Sequence, residues 1–204
     1  MEQHKKDVSL LESHLLAYFY RLRYIERWSL MRNVMKENVA EHSFHVSIIT
    51  HSLCTIANEV FHKEIDTEKA VTKSLFHDVT EVITGDIPTP VKHHNSDMLK
   101  NFRDIEHLAA KKLVNKAPED LKHIYEKLIA DKEKSSLNRY IKAADLLDAY
   151  LKCMSELQAG NREFAVAKNQ IEETLYSLEM EEVDYFLTHF APSFDKTLDE
   201  ISEE

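Results

Sequence analysis

Glycine and proline are scarce in this chain of 204 residues, which contains only two glycines and four prolines. Average usage of about 7% Gly and 5% Pro would give roughly fourteen and ten in a chain of this length. The many tight hairpins of a β-sandwich require such turn-forming residues, so their scarcity favours long helices with few connections. We therefore expect an all-α fold, a helical bundle.

Cysteines, long apolar runs and excess positive charge are also scarce. Two cysteines far apart, Cys54 and Cys153, do not make a disulfide framework. No uninterrupted apolar run approaches the ~18 residues of a membrane span, and the N-terminal stretch lacks the apolar character of a secretory signal. With 36 acidic and 26 basic residues the net charge is −10. This charge argues against a groove for polymeric nucleic acid, because binding of such a polymer depends on clustered Lys and Arg. We expect a cytoplasmic protein with neither a membrane nor a nucleic-acid polymer as partner.

Apolar residues recur at intervals of three or four along most of the chain, which is the period of an α-helix. The expected helices cover residues 8–25, Asn38 to about 60, 66 or 67 to 84, 97–115, 119–130, 136–159, 162–179 and 181–190, and residues 27–32 are expected to form a loop. Asn38 is expected to cap the second helix, with Glu41 in capping-box position, and Gly85 is expected to stop the third. The apolar stripe of the first helix and the buried face of the second are expected at Leu11, Leu15, Tyr18, Leu22 and Ile25 and at Val46, Ile49, Leu53, Ile56 and Val60. Residues 86–91 are expected to be non-helical, because each proline pushes its predecessor towards an extended conformation. No repeat or break in composition divides the chain, so residues 1–204 are expected to form one domain.

The pair His77 and Asp78 is the most informative feature, because residues of metal-ligating type also occur on two other expected helices. His42 precedes the pair near the start of its helix, and Asp145 follows it within the apolar run 141–147. A carboxylate in a buried face is costly unless it is paired or metal-bound. Each residue alone is more often a hydrogen-bonded core residue or a surface charge. Together they can bind one divalent metal between the helices of a bundle, and a metal held in that way activates water at neutral pH.

Further residues suit the handling of a phosphate ester. Glu81, one turn beyond the His-Asp pair, can exchange protons with reacting groups. Arg27 offers a planar fork of donors for phosphate oxygens. Trp28 can form a rigid wall of a pocket, although a core anchor is an equally good interpretation. Asp86 and Thr89 can present oxygens to a sugar hydroxyl and a phosphate, or can serve only the turn.

Two other ionisable residues each lie one turn beyond an expected metal ligand. His45 follows His42, and Asp148 follows Asp145. We expect these residues to support the ligands or to face solvent rather than to bind the metal.

At these positions the chain resembles the HD-domain metal-dependent phosphohydrolases, and within them the bacterial 5′-deoxynucleotidases of the YfbR type. The similar stretches are residues 27–34, 37–43, 77–92, 142–147, 149–153 and 192–201. The segment 84–90 is far more specific than the His-Asp pair. The resemblance implies a single HD domain that binds one divalent metal through His42, His77, Asp78 and Asp145. It also implies hydrolysis of deoxyribonucleoside 5′-monophosphates to deoxynucleoside and phosphate.

The resemblance also implies roles for individual residues. Glu81 would take part in proton transfer, Arg27 would orient the phosphate, and Trp28 would help to exclude a ribose 2′-hydroxyl. Substrate contacts are further implied for one segment and for three of the metal ligands: Asp86, Ile87, Pro88, Thr89, His42, Asp78 and Asp145. Relatives of this type imply a homodimer.

Two imidazoles and two carboxylates suit a transition metal better than Mg²⁺ or Ca²⁺, which prefer oxygen ligands throughout. We expect Co or Mn, with Zn, Fe and Ni as alternatives. Two other functions stay open from the residues. One is an HD phosphohydrolase that acts on a nucleoside triphosphate, a cyclic nucleotide or an alarmone. The other is a non-catalytic helical module that binds a metal or a nucleotide.

Overall fold

In the residues that the computed structural model describes, 12–92, 94–130 and 135–202, the regular secondary structure is helical, apart from one isolated antiparallel bridge between Glu26 and Asn38. The all-α fold is therefore confirmed. The α-helices are α1 Leu15–Phe19, α2 Val39–Glu59, α3 Thr67–Ser74, α4 Glu81–Thr84, α5 Thr89–Lys92, α6 Ser96–Val114, α7 Lys122–Tyr125, α8 Leu137–Gln158, α9 Ala165–Ser177, α10 Glu181–His189 and α11 Leu198–Ser202. Short 3₁₀ segments and one π-helical turn accompany them: Tyr20–Tyr24, Glu119–Leu121, Arg162–Phe164, Ala191–Asp195 and, as the π-helical turn, Glu126–Ala130.

Contacts divide the chain into two compact units, each assembled from separate segments. The first unit takes its described residues from Met1–Ser29, Glu37–Glu41 and Phe76–Glu133. The second takes them from Leu30–Lys36, His42–Leu75 and Lys134–Glu204. The expectation of one domain over residues 1–204 stays a prediction. Among the helices described, none combines the length and the apolar character that crossing a membrane requires.

The core of the first unit contains the apolar stripe expected for the first helix. Leu15 of α1 and Leu22 of the following 3₁₀ segment are almost completely buried, together with Val79 and with Leu113 of α6. Leu11, which was assigned to the same stripe, lies outside the described residues. Burial of each such leucine contributes about 1.5–3 kcal/mol relative to exposure. The stripe therefore holds the N-terminal helical segment against α6.

The core of the second unit forms around α8, which is buried along most of its length. Leu147 and Leu151 of α8 belong to one apolar cluster with Leu53 of α2 and Phe186 of α10. The buried face expected for α2 is confirmed at four positions, Val46, Ile49, Leu53 and Ile56. The fifth position, Val60, is exposed and lies beyond the end of the helix. This packing orients the residues of α2 and α8 that form the candidate site in this unit.

The pair His77 and Asp78 lies in turns and not in the continuous helix expected from the sequence. α3 ends at Ser74, and residues 75–80 form turns. The backbone N–H of Glu81 donates to the carbonyl of Asp78, three residues earlier, at 2.9 Å. Bonds of this spacing are tighter than the four-residue bonds of an α-helix and interrupt its periodicity. The ligand-type pair therefore lies on a compact turn that ends where α4 begins.

The proline-containing segment 86–91 includes a helical turn that the sequence was expected to exclude. α5 covers Thr89–Lys92, with Pro90 at its second position. The carbonyl of Pro88 accepts the N–H of Val91 at 2.8 Å. A proline in the first turn of a helix loses no hydrogen bond, because the N–H groups there have no intrahelical partner. The expectation was wrong for the second half of the segment, since proline disfavours a helix interior and not its start.

Candidate active site

His42 lies in the first turn of α2, whose start is defined by a capping box. The side-chain oxygen of Asn38 accepts the N–H groups of Ala40 and Glu41 at 3.1 Å each. In return, the Glu41 carboxylate accepts the N–H of Asn38 at 3.2 Å. This reciprocal pair satisfies donors that a helix start otherwise leaves unbonded. The expected cap is confirmed, and it determines where along the chain His42 enters the helix.

The His42 ring is completely buried and contacts two carboxylates of α8. Its Nδ1 lies 2.6 Å from Oδ2 of Asp148, and its Nε2 lies 3.2 Å from Oδ1 of Asp145. With Nδ1–H donating to Asp148, the lone pair of the neutral ring is on Nε2. Metal-binding histidines commonly have this arrangement, in which a carboxylate holds the nitrogen that does not bind the metal. His42 therefore has the environment of a metal ligand.

The two carboxylates of α8 differ in burial, and Asp145 is more exposed than the sequence led us to expect. Asp145, expected within a buried face, has a side chain that is 42% exposed. Asp148, three residues further along the same helix, is buried. His45 is exposed, and its Nδ1 lies 3.4 Å from the second carboxylate oxygen of Asp148. Asp148 thus occupies the supporting position, one of the two positions considered for it.

His77 and Asp78 provide ligand types within the first unit. Nε2 of His77 lies 3.1 Å from Oδ2 of Asp78, and both side chains are partly buried. Glu81, the candidate for proton transfer, is the first residue of α4 and directly follows the turn that carries this pair. The structure therefore brings a ligand-type pair and a candidate proton carrier into one short segment. Coordination of one metal by this pair together with His42 and Asp145 stays a prediction.

Arg27 and Trp28 lie in the loop after the 3₁₀ segment Tyr20–Tyr24, as expected, and Glu37 contacts both of them. Oε2 of Glu37 lies 3.4 Å from Nη1 of Arg27 and 3.2 Å from Nε1 of Trp28. The backbone N–H of Arg27 also donates to the carbonyl of Glu37 at 3.0 Å. Sequence reasoning assigned no role to Glu37. Its only available signal was its place in a stretch that resembles the phosphohydrolase family.

Gly85 directly precedes the segment assigned to substrate contacts. It has φ of 73°, a left-handed value that glycine adopts without strain, and its N–H donates back to the first residue of α4 at 2.8 Å. The expected helix stop is confirmed. Asp86, Ile87 and Pro88 follow as non-helical, partly buried residues, and the exposed Thr89 begins α5. Their contacts with a substrate stay predictions.

A buried carboxylate that the sequence did not single out, Glu156 of α8, binds the loop before α2. It accepts the backbone N–H groups of Val34 and Met35 at 2.9 and 3.0 Å, the Lys152 ammonium at 2.6 Å and the Asn161 amide at 2.8 Å. Burial alone would raise the pKa of Glu156, but these hydrogen bonds outweigh it and lower the pKa to about 2. From sequence the Lys-Glu spacing of four residues looks like an ordinary surface pair, so the role of Glu156 was missed.

Comparison with solved structures defines the class of protein. An HD-domain phosphohydrolase from Listeria innocua superposes with a TM-score of 0.77 and 26% identity, covering 88% of this chain and 87% of that one. The cyanophage S-2L HD phosphohydrolase DatZ, bound to dA and one catalytic Zn²⁺ ion, superposes with a TM-score of 0.59 over 89% and 96% of the two chains. At 20% identity this second likeness shows the fold alone. The fold is that of the HD-domain phosphohydrolases.

Sequence comparison defines the family within that class. A model of the YfbR-like 5′-deoxynucleotidases matches residues 14–194. A 5′-deoxynucleotidase of Enterobacter sp. (strain 638) is 46% identical over 194 residues, which cover 95% of this chain and 98% of that protein. The chain belongs to the YfbR-like 5′-deoxynucleotidase family and is therefore a hydrolase. The resemblance inferred from the motifs is confirmed, and the alternative of a non-catalytic module is not supported.

Proposed function

We propose that this protein is a metal-dependent phosphomonoesterase that hydrolyses deoxyribonucleoside 5′-monophosphates and discriminates against ribonucleotides. The observation that carries the substrate class is the 46% identity with a 5′-deoxynucleotidase across 95% of the chain. One family model matches residues 14–194, which include segments of both compact units. This continuous match supports one HD domain over residues 1–204.

The donor chemistry of the chain fits a divalent transition metal. His42 Nε2 lies 3.2 Å from Asp145 Oδ1, and His77 Nε2 lies 3.1 Å from Asp78 Oδ2. Imidazole nitrogens and carboxylate oxygens are the donor types that such an ion takes, and these residues would supply its ligands. When bound, an ion of this kind supplies Lewis-acid activation of water near neutral pH. We expect Co or Mn, with Zn, Fe and Ni as alternatives.

The residues of this chain then perform the remaining chemistry. Water attacks the phosphorus atom, the bond from phosphorus to the 5′-oxygen breaks, and the 5′-oxygen takes up a proton. Glu81 accepts the proton of the attacking water or delivers one to the leaving oxygen. Arg27 binds the phosphoryl oxygens and offsets their charge through its donor fork. The products are a deoxynucleoside and inorganic phosphate.

Selectivity against ribonucleotides is assigned to the Trp28 indole, whose rigid ring would leave no room for a 2′-hydroxyl. Asp86 and Thr89 would contact the sugar and the phosphate, next to Ile87 and Pro88. We also propose that the protein acts as a homodimer in the cytoplasm, without a membrane or a nucleic-acid polymer as partner. Light scattering at several protein concentrations tests the dimer directly.

A panel of deoxyribo- and ribonucleoside 5′-monophosphates tests the proposed function. Metal is first removed by chelation, and Co²⁺, Mn²⁺, Zn²⁺ or Mg²⁺ is then restored before phosphate release is measured. We expect release from the deoxyribonucleotides after addition of a transition metal and much slower release from the ribonucleotides. Deoxynucleoside triphosphates serve as a comparison. Faster hydrolysis of triphosphates, or no phosphate release with any metal, would contradict the proposal.

A further inference from the structure

Glu37 connects the two residues to which phosphate binding and sugar selection are assigned. One oxygen atom, Oε2, lies within hydrogen-bonding distance of both the Arg27 guanidinium and the Trp28 indole N–H, at 3.4 and 3.2 Å. Both contacts lie within the first compact unit. The Glu37 carboxylate therefore couples the position of the Arg27 guanidinium to the position of the Trp28 ring.

The backbone brings these groups together without help from the Glu37 side chain. The N–H of Arg27 donates to the carbonyl of Glu37 at 3.0 Å, and the N–H of Val39 donates to the carbonyl of Ile25 at 3.0 Å. These bonds flank the isolated bridge between Glu26 and Asn38. A substitution of the Glu37 side chain leaves them in place, so it tests the carboxylate separately from the course of the chain.

Trp28 has an unusual backbone conformation that needs support from its surroundings. Its φ of 57° is left-handed, a region that bulky residues rarely adopt and that tends to occur at functional sites. The indole N–H gains a charged acceptor in Glu37, and hydrogen bonds to charged groups are stronger than neutral ones. The side chains of Arg27 and Glu37 are only 12% and 10% exposed, so water screens their attraction less than at the surface.

We propose that Glu37 is a positioning residue that sets selectivity for the deoxyribose sugar by holding the Trp28 indole in a fixed position relative to the Arg27 guanidinium. The inference rests on the proposed function, because it assumes that Arg27 binds the phosphate and that Trp28 faces the sugar. Glu37 itself does not touch the reacting atoms. Its negative charge orients the guanidinium, and its oxygen fixes the rotation of the indole, so the distance between the phosphate-binding group and the ring that excludes a 2′-hydroxyl stays constant.

Trp28 is the only tryptophan of the chain, so fluorescence excited at a wavelength where tyrosine hardly absorbs reports on this ring. The test uses Glu37→Ala, which removes the carboxylate, and Glu37→Gln, which keeps an acceptor oxygen but removes the charge. Glu126→Gln, at an exposed position in the same unit, is the matched control. The probes are deoxyadenosine 5′-monophosphate and adenosine 5′-monophosphate with Co²⁺ supplied. Emission maximum and acrylamide quenching are recorded for the same preparations.

For Glu37→Ala we expect kcat/KM on the deoxyribonucleotide to fall about 10- to 100-fold, the loss typical of a hydrogen bond to a charged group. The ribonucleotide should lose less, so the ratio between the two narrows. Emission should shift to longer wavelength and quenching should rise, because the indole loses its acceptor. Glu37→Gln should lie between Glu37→Ala and the wild type. The control Glu126→Gln should match the wild type in every measurement.

An unchanged ratio of kcat/KM between the two nucleotides in both Glu37 variants would overturn the inference, since a merely structural role would lower both values alike. An unchanged Trp28 emission in both variants would also overturn it. Circular dichroism verifies the helical content, and Glu37→Gln decides the matter if Glu37→Ala does not fold. A wild-type protein without preference for the deoxyribonucleotide would instead contradict the proposed function, so the two failures are distinguishable.

Discussion

Replacement of the buried Glu156 by Gln should destabilise the protein strongly and in a pH-dependent way. The wild-type carboxylate accepts four hydrogen bonds, two of them from backbone N–H groups of the loop before α2. A glutamine offers one acceptor oxygen, and its NH₂ group would face donors. The substitution also leaves the Lys152 ammonium, itself buried, without the carboxylate that now lies 2.6 Å away. Both effects oppose folding.

The magnitude follows from the pKa of Glu156, which the fold lowers from 4.5 to about 2. One pKa unit corresponds to 1.36 kcal/mol, so the charged form of Glu156 contributes about 3 kcal/mol to the free energy of unfolding. Because the folded pKa lies below the unfolded one, this contribution is fully present above about pH 4.5. It is lost as the pH falls from 4.5 towards 2.

Urea unfolding followed by circular dichroism at several pH values measures this contribution. Glu156→Gln should be about 3 kcal/mol less stable than the wild type at pH 7. The difference should shrink steadily between pH 4.5 and pH 2, where the wild-type carboxylate takes up its proton. Glu173→Gln, at an exposed position of α9, is the matched control and should leave the stability nearly unchanged at every pH. Equal stability of variant and wild type at pH 7, or a difference independent of pH, would refute the reasoning.

Three further substitutions test the candidate site. Asp148→Asn should weaken the affinity for Mn²⁺ about 10- to 100-fold in titration calorimetry. An amide can donate to Nδ1 of His42 and shift the ring proton to Nε2, the nitrogen that would bind the metal. Unchanged affinity would exclude a supporting role for Asp148. Glu81→Ala should retain the metal while phosphate release collapses, and near-normal turnover would remove Glu81 from the mechanism. Trp28→Ala should narrow the ratio of kcat/KM between deoxyribo- and ribonucleotides, whereas an unchanged ratio would place selectivity elsewhere.

Properties that depend on near neighbours along the chain could be predicted from the sequence. The capping box of Asn38 and Glu41 is correct, because it is formed by two residues that are three positions apart. The buried face of α2 is correct because helical periodicity alone brings its apolar residues to one side. The turn around His77 was missed because hydrogen bonds between residues three apart interrupt the helix there. The helical turn at Thr89 was missed because Pro90 lies in its first turn, where a proline is tolerated.

Residue types at recognisable spacings were enough to predict an all-helical fold and its candidate metal ligands, and the resemblance to the HD-domain family supplied the phosphohydrolase activity. The relative burial of Asp145 and Asp148 was decided only by the tertiary structure, as were the double contact of Glu37 and the loop-binding role of Glu156. Glu37 and Trp28 are nine positions apart, and Glu156 and Val34 are 122 positions apart. Helical periodicity relates residues within a turn or two. Contacts over such separations arise only when packing brings distant segments together. Packing also determines which of the two carboxylates, Asp145 or Asp148, is buried.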